Sequence, residues 1–189
     1  MARQKEFDEE EVLEKAIAVF WKRGYAGASI QNLIDGMKIH RGSLYSTFKD
    51  KKTLFFRCLE LYESRRLEQM RNDLPPIEAI QAWFQSLVEK SVSGATPSGC
   101  FIINTLKDVE NHHSEIRKAV AQSLLKTENL LFTQICRGQA DGSISPNLDP
   151  RRTAQAMLGM TVGMRSLSHL KPNRVFLQNI ADSALSLLY

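Results

Sequence analysis

Residues 29–54 read SIQNLIDGMKIHRGSLYSTFKDKKTL, and the order of caps, apolar steps and breaks within them predicts two short helices followed by a long one. Ser29 is placed to cap a helix carrying Ile30, Leu33 and Ile34, which Gly36 would interrupt. A turn of about three residues, Met37 to Ile39, leads to a second short helix over His40 to Phe48. Asp50 then offers a cap to a long helix whose stripe is Leu54, Phe55, Cys58, Leu61 and Tyr62, running to about Asn72. Two short helices joined this way form a helix-turn-helix, a unit that lays its second helix in the major groove of DNA.

The charge surrounding this stretch agrees. From Lys22 to Arg57 the bases Lys22, Arg23, Lys38, Arg41, Lys49, Lys51, Lys52 and Arg57 stand against Asp35 and Asp50, leaving +6 of a whole-chain net charge of +4. From Asp73 to Tyr189 there are 11 basic and 10 acidic residues. A positive field confined to one short segment is the footprint a phosphate backbone calls for, although a solvated basic face gives the same count.

Outward from that core the chain reads as helix throughout. Val12, Leu13, Ala16, Ile17 and Phe20 share a face ahead of Gly24 and make a first helix behind an acidic start. Pro75-Pro76 opens a helix through Trp83, Phe84, Leu87 and Val88, residues 93–99 read as a loop, and Phe101 to about Val109 as a short apolar helix. Ile116, Val120, Leu124, Leu131 and Ile135 mark a long helix ending near Gly138; Asp149-Pro150 starts another towards Leu170, and the last spans about Arg174 to Leu188. No strand-like alternation occurs. The expectation is an all-α protein of about nine helices: a head over residues 1–50 and a helical body over 51–189.

Composition narrows the function. At 189 residues, 43% hydrophobic and 24% charged, the chain can bury a core. Its charged first residues lack the apolar run of a signal peptide and no stretch approaches a membrane span, so a cytoplasmic protein without membrane contact is expected. Cys58, Cys100 and Cys136 are odd in number and lack CxxC spacing, which favours reduced thiols. Neither a GxSxG elbow, a phosphate-cradling GxxxxGK[ST] loop, an HExxH pair nor a GxGxxG turn is found, so no enzyme and no cofactor are expected. His112-His113 lie near Glu110 and Glu115, but adjacent histidines point to different helix faces, and no metal site is assigned.

The run Gly24-Tyr25-Ala26-Gly27-Ala28-Ser29-Ile30, followed by Arg41-Gly42-Ser43-Leu44-Tyr45-Ser46-Thr47-Phe48-Lys49-Asp50-Lys51-Lys52-Thr53-Leu54, resembles the signature of the TetR/AcrR family of bacterial repressors over about residues 8 to 57. Lys38 stands where that family often has a turn glycine, and His40 where it usually has a serine or threonine cap. The resemblance implies DNA contacts from Tyr25, Ser29, Arg41, Gly42, Ser43, Tyr45, Ser46, Thr47 and Lys51. Elementary chemistry gives each a part. Arg41 can donate two hydrogen bonds to guanine, Gly42 allows close approach, Ser43 and Ser46 are small, Tyr45, Thr47 and Lys51 suit phosphate oxygens, and Ser29 and Tyr25 hold the other flank. Leu33, Ile34, Leu44 and Phe48 belong to the small core.

The resemblance further implies a homodimer reading a pseudo-palindromic operator, and a small-molecule inducer, its identity open, in a cavity of the body. Phe84, Phe101, Asn104, Phe132, Met157, Met160 and Met164 are candidate lining, with plain core the competing role. Cys100, after Gly99 at the mouth of the sixth helix, is the candidate redox or electrophile sensor, since a helix N-terminus lowers a thiol's pKa and some family members carry a Gly-Cys pair there; a small packing residue is the alternative. The last two helices are the expected dimer interface: Met157, Leu158, Thr161, Val162 and Arg165 share a face, Phe176 to Leu188 is apolar on more than one side, and Gly159 and Gly163 permit close packing. A helical adaptor binding protein alone is the rival function, and it requires neither Arg41 nor Lys51.

Overall fold

Capping sets the helix starts. Asp8 accepts from the Glu10 amide at 2.9 Å and precedes Glu9, Glu10 and Glu11, which favour the positive end of α1 (Glu9–Gly27). Ser29 and Asn32 exchange hydrogen bonds at the start of α2 (Ile30–Met37), and Asp50 accepts from the Thr53 amide at 2.6 Å to open α4 (Lys51–Leu67). Between them lies α3 (Arg41–Phe48), whose cap position, His40, makes no side-chain bond. Then follow α5 (Pro76–Val92), α6 (Phe101–Leu106), α7 (Ser114–Asp141), α8 (Pro150–Leu167), a 3-10 turn (Ser168–Leu170) and α9 (Arg174–Ser186). This computed structural model describes residues 7–68, 70, 73–93, 99–106, 114–170 and 173–189. Among them the protein is all-α, with nine α-helices and no strand, and no helix is long and apolar enough to cross a membrane. The expected end of α4 at Asn72, most of the 93–99 loop, the end of α6 towards Val109 and the His112-His113 pair lie outside the described residues.

Three glycines read as helix ends behave otherwise. Gly24 bends α1 (φ 71°) without ending it, and the bend turns Tyr25 inward. Gly36 lies within α2, where a Cβ would collide with Val19 of α1. Gly138 lies within α7, where a Cβ would collide with Ile144. The last two are absences of side chain that let a neighbouring element sit close.

Two apolar clusters hold the chain together. The first joins α1 to α4, α6 and the start of α7 around an aromatic knot: Phe20 and Phe55 have ring centroids 5.3 Å apart, Phe55 and Phe101 5.4 Å, Tyr25 and Phe55 5.1 Å. Full burial contributes about 2–3 kcal/mol for each such ring, with the edge-to-face pairs adding about 1 kcal/mol apiece. The second joins α5, the far half of α7, α8 and α9 around Trp83, Phe84, Met157, Met164 and Leu177. Leu54, Phe55, Cys58 and Leu59 of α4 sit in the first cluster, so α4 is packed onto the three helices before it.

Candidate functional site

The left-handed turn at Lys38 (φ 56°, ψ 43°) aims α3 away from α2, a conformation usually left to glycine that costs a side-chain-bearing residue about 1–2 kcal/mol. Leu44 and Phe48 anchor α3 inward, fully buried, which forces the other side of the helix outward: Arg41, Gly42, Tyr45 and Ser46 are exposed, Ser43 and Thr47 half-buried. The Arg41 guanidinium rests 5.8 Å from the Tyr45 ring centroid. Nothing lies within 4 Å of where a Gly42 side chain would begin, so no packing within the chain requires glycine there. Ser46 donates to the Ser43 carbonyl at 3.2 Å.

Lys51, the first residue of α4, lies beside α3, its Nζ 4.6 Å above the Tyr25 ring and 3.5 Å from the Ala26 carbonyl. Tyr25 is itself core, its phenol pushed above its ordinary pKa by burial and then by Asp50. Ser29, exposed, spends its hydroxyl on the Asn32 amide. Of the eight bases counted in this segment, two are engaged elsewhere: Lys52 with Glu115 at 2.8 Å and Arg57 with Glu9 at 2.5 Å. Lys22, Arg23, Lys38, Arg41 and Lys49 remain exposed.

A cavity of about 230 Å³ lies among α1, α4, α5, α6, α7 and α8. Trp21 of α1, Tyr62, Arg65 and Arg66 of α4, and Trp83, Leu87 and Lys90 of α5 form one part of its wall. Cys100, Ile102 and Ile103, then Leu124, then Leu158, Thr161, Val162 and Arg165 of α8 complete it. Arg65 is neutralised by Glu10 and Glu14. Arg165, buried, donates to the Gly99 carbonyl and, at 3.3 Å, to Ser91. Burial, followed by the like charge of Arg165, holds Lys90 below the ordinary lysine pKa.

Of the residues expected to line a ligand cavity, Cys100 borders this one. Phe84, Phe101, Met157 and Met164 are wholly buried in the two packed clusters, turned to neighbouring helices. Phe132 lies beneath the Arg151 guanidinium, 3.9 Å from its ring centroid, and Met160 packs at the edge of the second cluster. Asn104 joins His169 at 2.9 Å and donates to the Trp21 carbonyl at 3.4 Å. Cys100 immediately precedes the six-residue α6 and is buried, with its Sγ 3.3 Å from the Tyr62 hydroxyl. The face of α8 carrying Met157, Thr161 and Arg165 points inward, and Leu158 and Val162 border the cavity; the interface expected on that face is corrected accordingly. Gly159 and Gly163 instead look into open space, and the exposed apolar groups at this end are Leu170, Val175, Phe176, Leu187 and Tyr189.

Residues 12–58 match the family model described as bacterial regulatory proteins, tetR family, and residues 76–182 the one described as tetracyclin repressor-like, C-terminal domain. The chain is 28% identical to the HTH-type transcriptional repressor ComR of Escherichia coli K12, over 98% of this chain and 90% of that protein. It is 27% identical to the uncharacterized HTH-type regulator YezE of Bacillus subtilis 168 over the whole of both. Among solved structures, a cysteine variant of the TetR family regulator CifR complexed with 26 bp operator DNA superposes with a TM-score of 0.86 at 26% identity, covering 97% of this chain and 98% of that one.

Proposed function

From the premise that this chain belongs to the tetR family of bacterial regulatory proteins, we propose that it is a transcriptional repressor that binds a pseudo-palindromic operator as a homodimer and releases it when the body takes up a small molecule. The observation that carries this is α3: a helix anchored by Leu44 and Phe48 whose outer side offers Arg41, Gly42, Tyr45 and Ser46 in a cationic setting. Its fit to a groove is supported by a full-length likeness to a regulator seen on operator DNA.

Residues 1–50 serve as the head in this reading and 51–189 as the sensing and dimerising body. Arg41 reads guanine. Gly42 and Ser43 let α3 lie close, and Tyr45, Ser46 and Thr47 meet base edges and phosphates. Lys51 grips a phosphate from the cationic start of α4, with Tyr25 holding its stem and Ser29 fixing α2. A second copy brings the matching helix about 34–36 Å along the duplex. The outward side of α8 at Gly159 and Gly163 and the exposed Val175 and Phe176 of α9 favour pairing through the last two helices.

The test is a mobility shift on the DNA upstream of the protein's own gene and on a genomic fragment library, with mass measured by sedimentation. A salt-sensitive dimer complex is expected on selected fragments, and Arg41→Ala is expected to lower affinity by roughly 5- to 150-fold per half-site, corresponding to about 1–3 kcal/mol, and to flatten the preference among fragments. Equal binding of all fragments by wild type and variant would leave the adaptor reading standing.

A further inference from the structure

The wall of the cavity described above is mostly aromatic and aliphatic, with the Cys100 thiol and the Thr161 hydroxyl, and its charged residues are all positive. Arg65, Arg66, Lys90 and Arg165 border it, and among the described residues no carboxylate does. Arg65 has its two glutamates, whereas Arg66 and Arg165, among the described residues, bond only to neutral oxygens: Arg66 Nη2 donates to Thr127 Oγ1 at 2.5 Å and to the Ser123 carbonyl at 3.4 Å, and Arg165 donates to Gly99 and Ser91. Arg165 is buried and Arg66 half-buried, and a guanidinium drawn out of water without an anion is unfavourable, so this wall favours an anionic guest.

Hydrogen bonding points the same way. Arg66 Nε, the Trp83 indole Nε1 and Thr161 Oγ1 are buried and have no hydrogen-bond partner among the described residues, and all three residues border this cavity. The first two can only donate. Arg66 and Trp83 are adjacent, with the guanidinium carbon 5.7 Å from the indole centroid. Each of these two adjacent residues brings one N–H without an acceptor, and a charged acceptor makes the stronger bond. A volume of about 230 Å³, against the roughly 150 Å³ of a cavity that holds benzene, suits a guest of roughly nine or ten non-hydrogen atoms.

We infer that the effector of this protein is a small apolar carboxylate whose anionic head is received by Arg66 and Trp83 and whose hydrocarbon body fills the space between Trp21, Leu87 and Val162. The inference rests on the reading of the body as the effector-binding part, and it adds the chemical class of the guest.

The chain's two tryptophans, Trp21 and Trp83, both border the cavity, so intrinsic fluorescence reports occupancy without DNA. Cyclohexylacetate, cyclohexanecarboxylate and octanoate are each titrated beside the corresponding primary amide, which keeps shape and removes charge, with inorganic phosphate as an anion lacking an apolar body. At least one acid is expected to saturate at tenfold or lower concentration than its amide, and phosphate is expected to leave fluorescence unchanged. Arg66→Met, its fold verified by circular dichroism, is expected to bring acid and amide together. Trp83→Phe, which keeps the ring and removes the N–H, is expected to narrow the gap with Trp21 still reporting. Acid and amide indistinguishable in every pair, or an acid preference unchanged in Trp83→Phe and Arg66→Met, overturns the inference. A parallel operator-binding assay separates the two readings: acid-selective occupancy that leaves the operator complex intact upholds the carboxylate site and counts against regulation through it, whereas release by amides as readily as acids does the reverse.

Discussion

Lys51→Met removes one charge from the proposed phosphate grip, along with the 3.5 Å contact to the Ala26 carbonyl. The methionine stem can still cover the Tyr25 ring, above which Lys51 Nζ now sits at 4.6 Å, and the lost cation–π contact amounts to about 0.5–1 kcal/mol of stability. Each phosphate contact releases about 0.9 counterion equivalents on B-DNA, so a homodimer losing one per protomer has its slope of log K against log salt reduced by about 1.8. A fourfold rise in salt, from about 50 to 200 mM, therefore closes the gap between wild type and variant by roughly twelvefold. Fluorescence anisotropy on operator and on scrambled DNA measures this directly, and the same closing is expected on both, since a phosphate carries no sequence information. Arg152→Met, an exposed charge on α8, is the control expected to leave the slope alone. Parallel salt plots for wild type and Lys51→Met would refute the placement of Lys51 on a phosphate, and a change of about 0.9 would refute the dimer.

Gly42→Ala is expected to raise stability and weaken DNA binding together. The new methyl meets nothing within the chain, and the gain in helix propensity, up to about 1 kcal/mol, raises Tm by about 2–4 °C, while the lost closeness to the duplex lowers operator affinity. The exposed pair of Glu89 with Arg174, 2.5 and 2.6 Å, brings α5 and α9 together, and the Arg174 hydrogen bonds, followed by that from Gln85, lower the Glu89 pKa from 4.5 to about 2. A depressed carboxylate stabilises the fold above its unfolded pKa and ceases to do so as pH falls through the folded one. Hence wild type should exceed Glu89→Gln in denaturant midpoint near pH ~7, and the two should converge as pH drops from about 4.5 towards 2. Thiol titration is expected to run Cys136, which is half-exposed, then Cys100, then Cys58, whose thiol is buried and pushed up by desolvation; Cys58 reacting first would contradict the packing of α4 on α1.

The head was legible because each of its signals is local. Ser29 and Asp50 bond to amides three residues on, and a period of three to four places Leu33, Leu44 and Phe48 on one side without knowledge of any other helix. The cavity was not, because a stripe of apolar residues says which side of a helix turns inward and nothing of whether another side chain or empty space awaits it. Met157 and Met164 lie on the buried side of α8 and meet other helices, while Thr161 and Arg165 on the same helix meet the cavity. The helical spacing puts Arg165 on the expected dimer face, and only the fold brings Arg66 and Arg165, more than ninety positions apart, to one wall. Gly36 and Gly138 failed for a related reason: glycine ends helices, but it also admits a neighbour, here Val19 and Ile144, and the sequence does not record the neighbour.

One helix spans both ends of the proposed mechanism. Lys51 opens α4 beside α3, and Arg66, one residue from its end, borders the cavity; fifteen residues of α-helix separate them by about 22 Å. A tilt of about 5° pivoting at the cavity displaces the Lys51 end by roughly 2 Å, enough to break a hydrogen bond to a phosphate and to shift the spacing of two heads. Energetically the demand is small. Hundredfold release of the operator requires about 2.7 kcal/mol of differential binding, or about 1.4 kcal/mol in each protomer of a dimer. A single charge-assisted hydrogen bond, about 1.5–3 kcal/mol, supplies that if it forms fully in only one of the two positions of α4. Arg66 Nε is such a donor: it rides on α4, it is buried, and it has no hydrogen-bond partner among the described residues. A carboxylate held between it and Trp83 of α5 would join the lever to the body, and an uncharged guest filling the same apolar space would not, which makes charge rather than shape the feature that decides release.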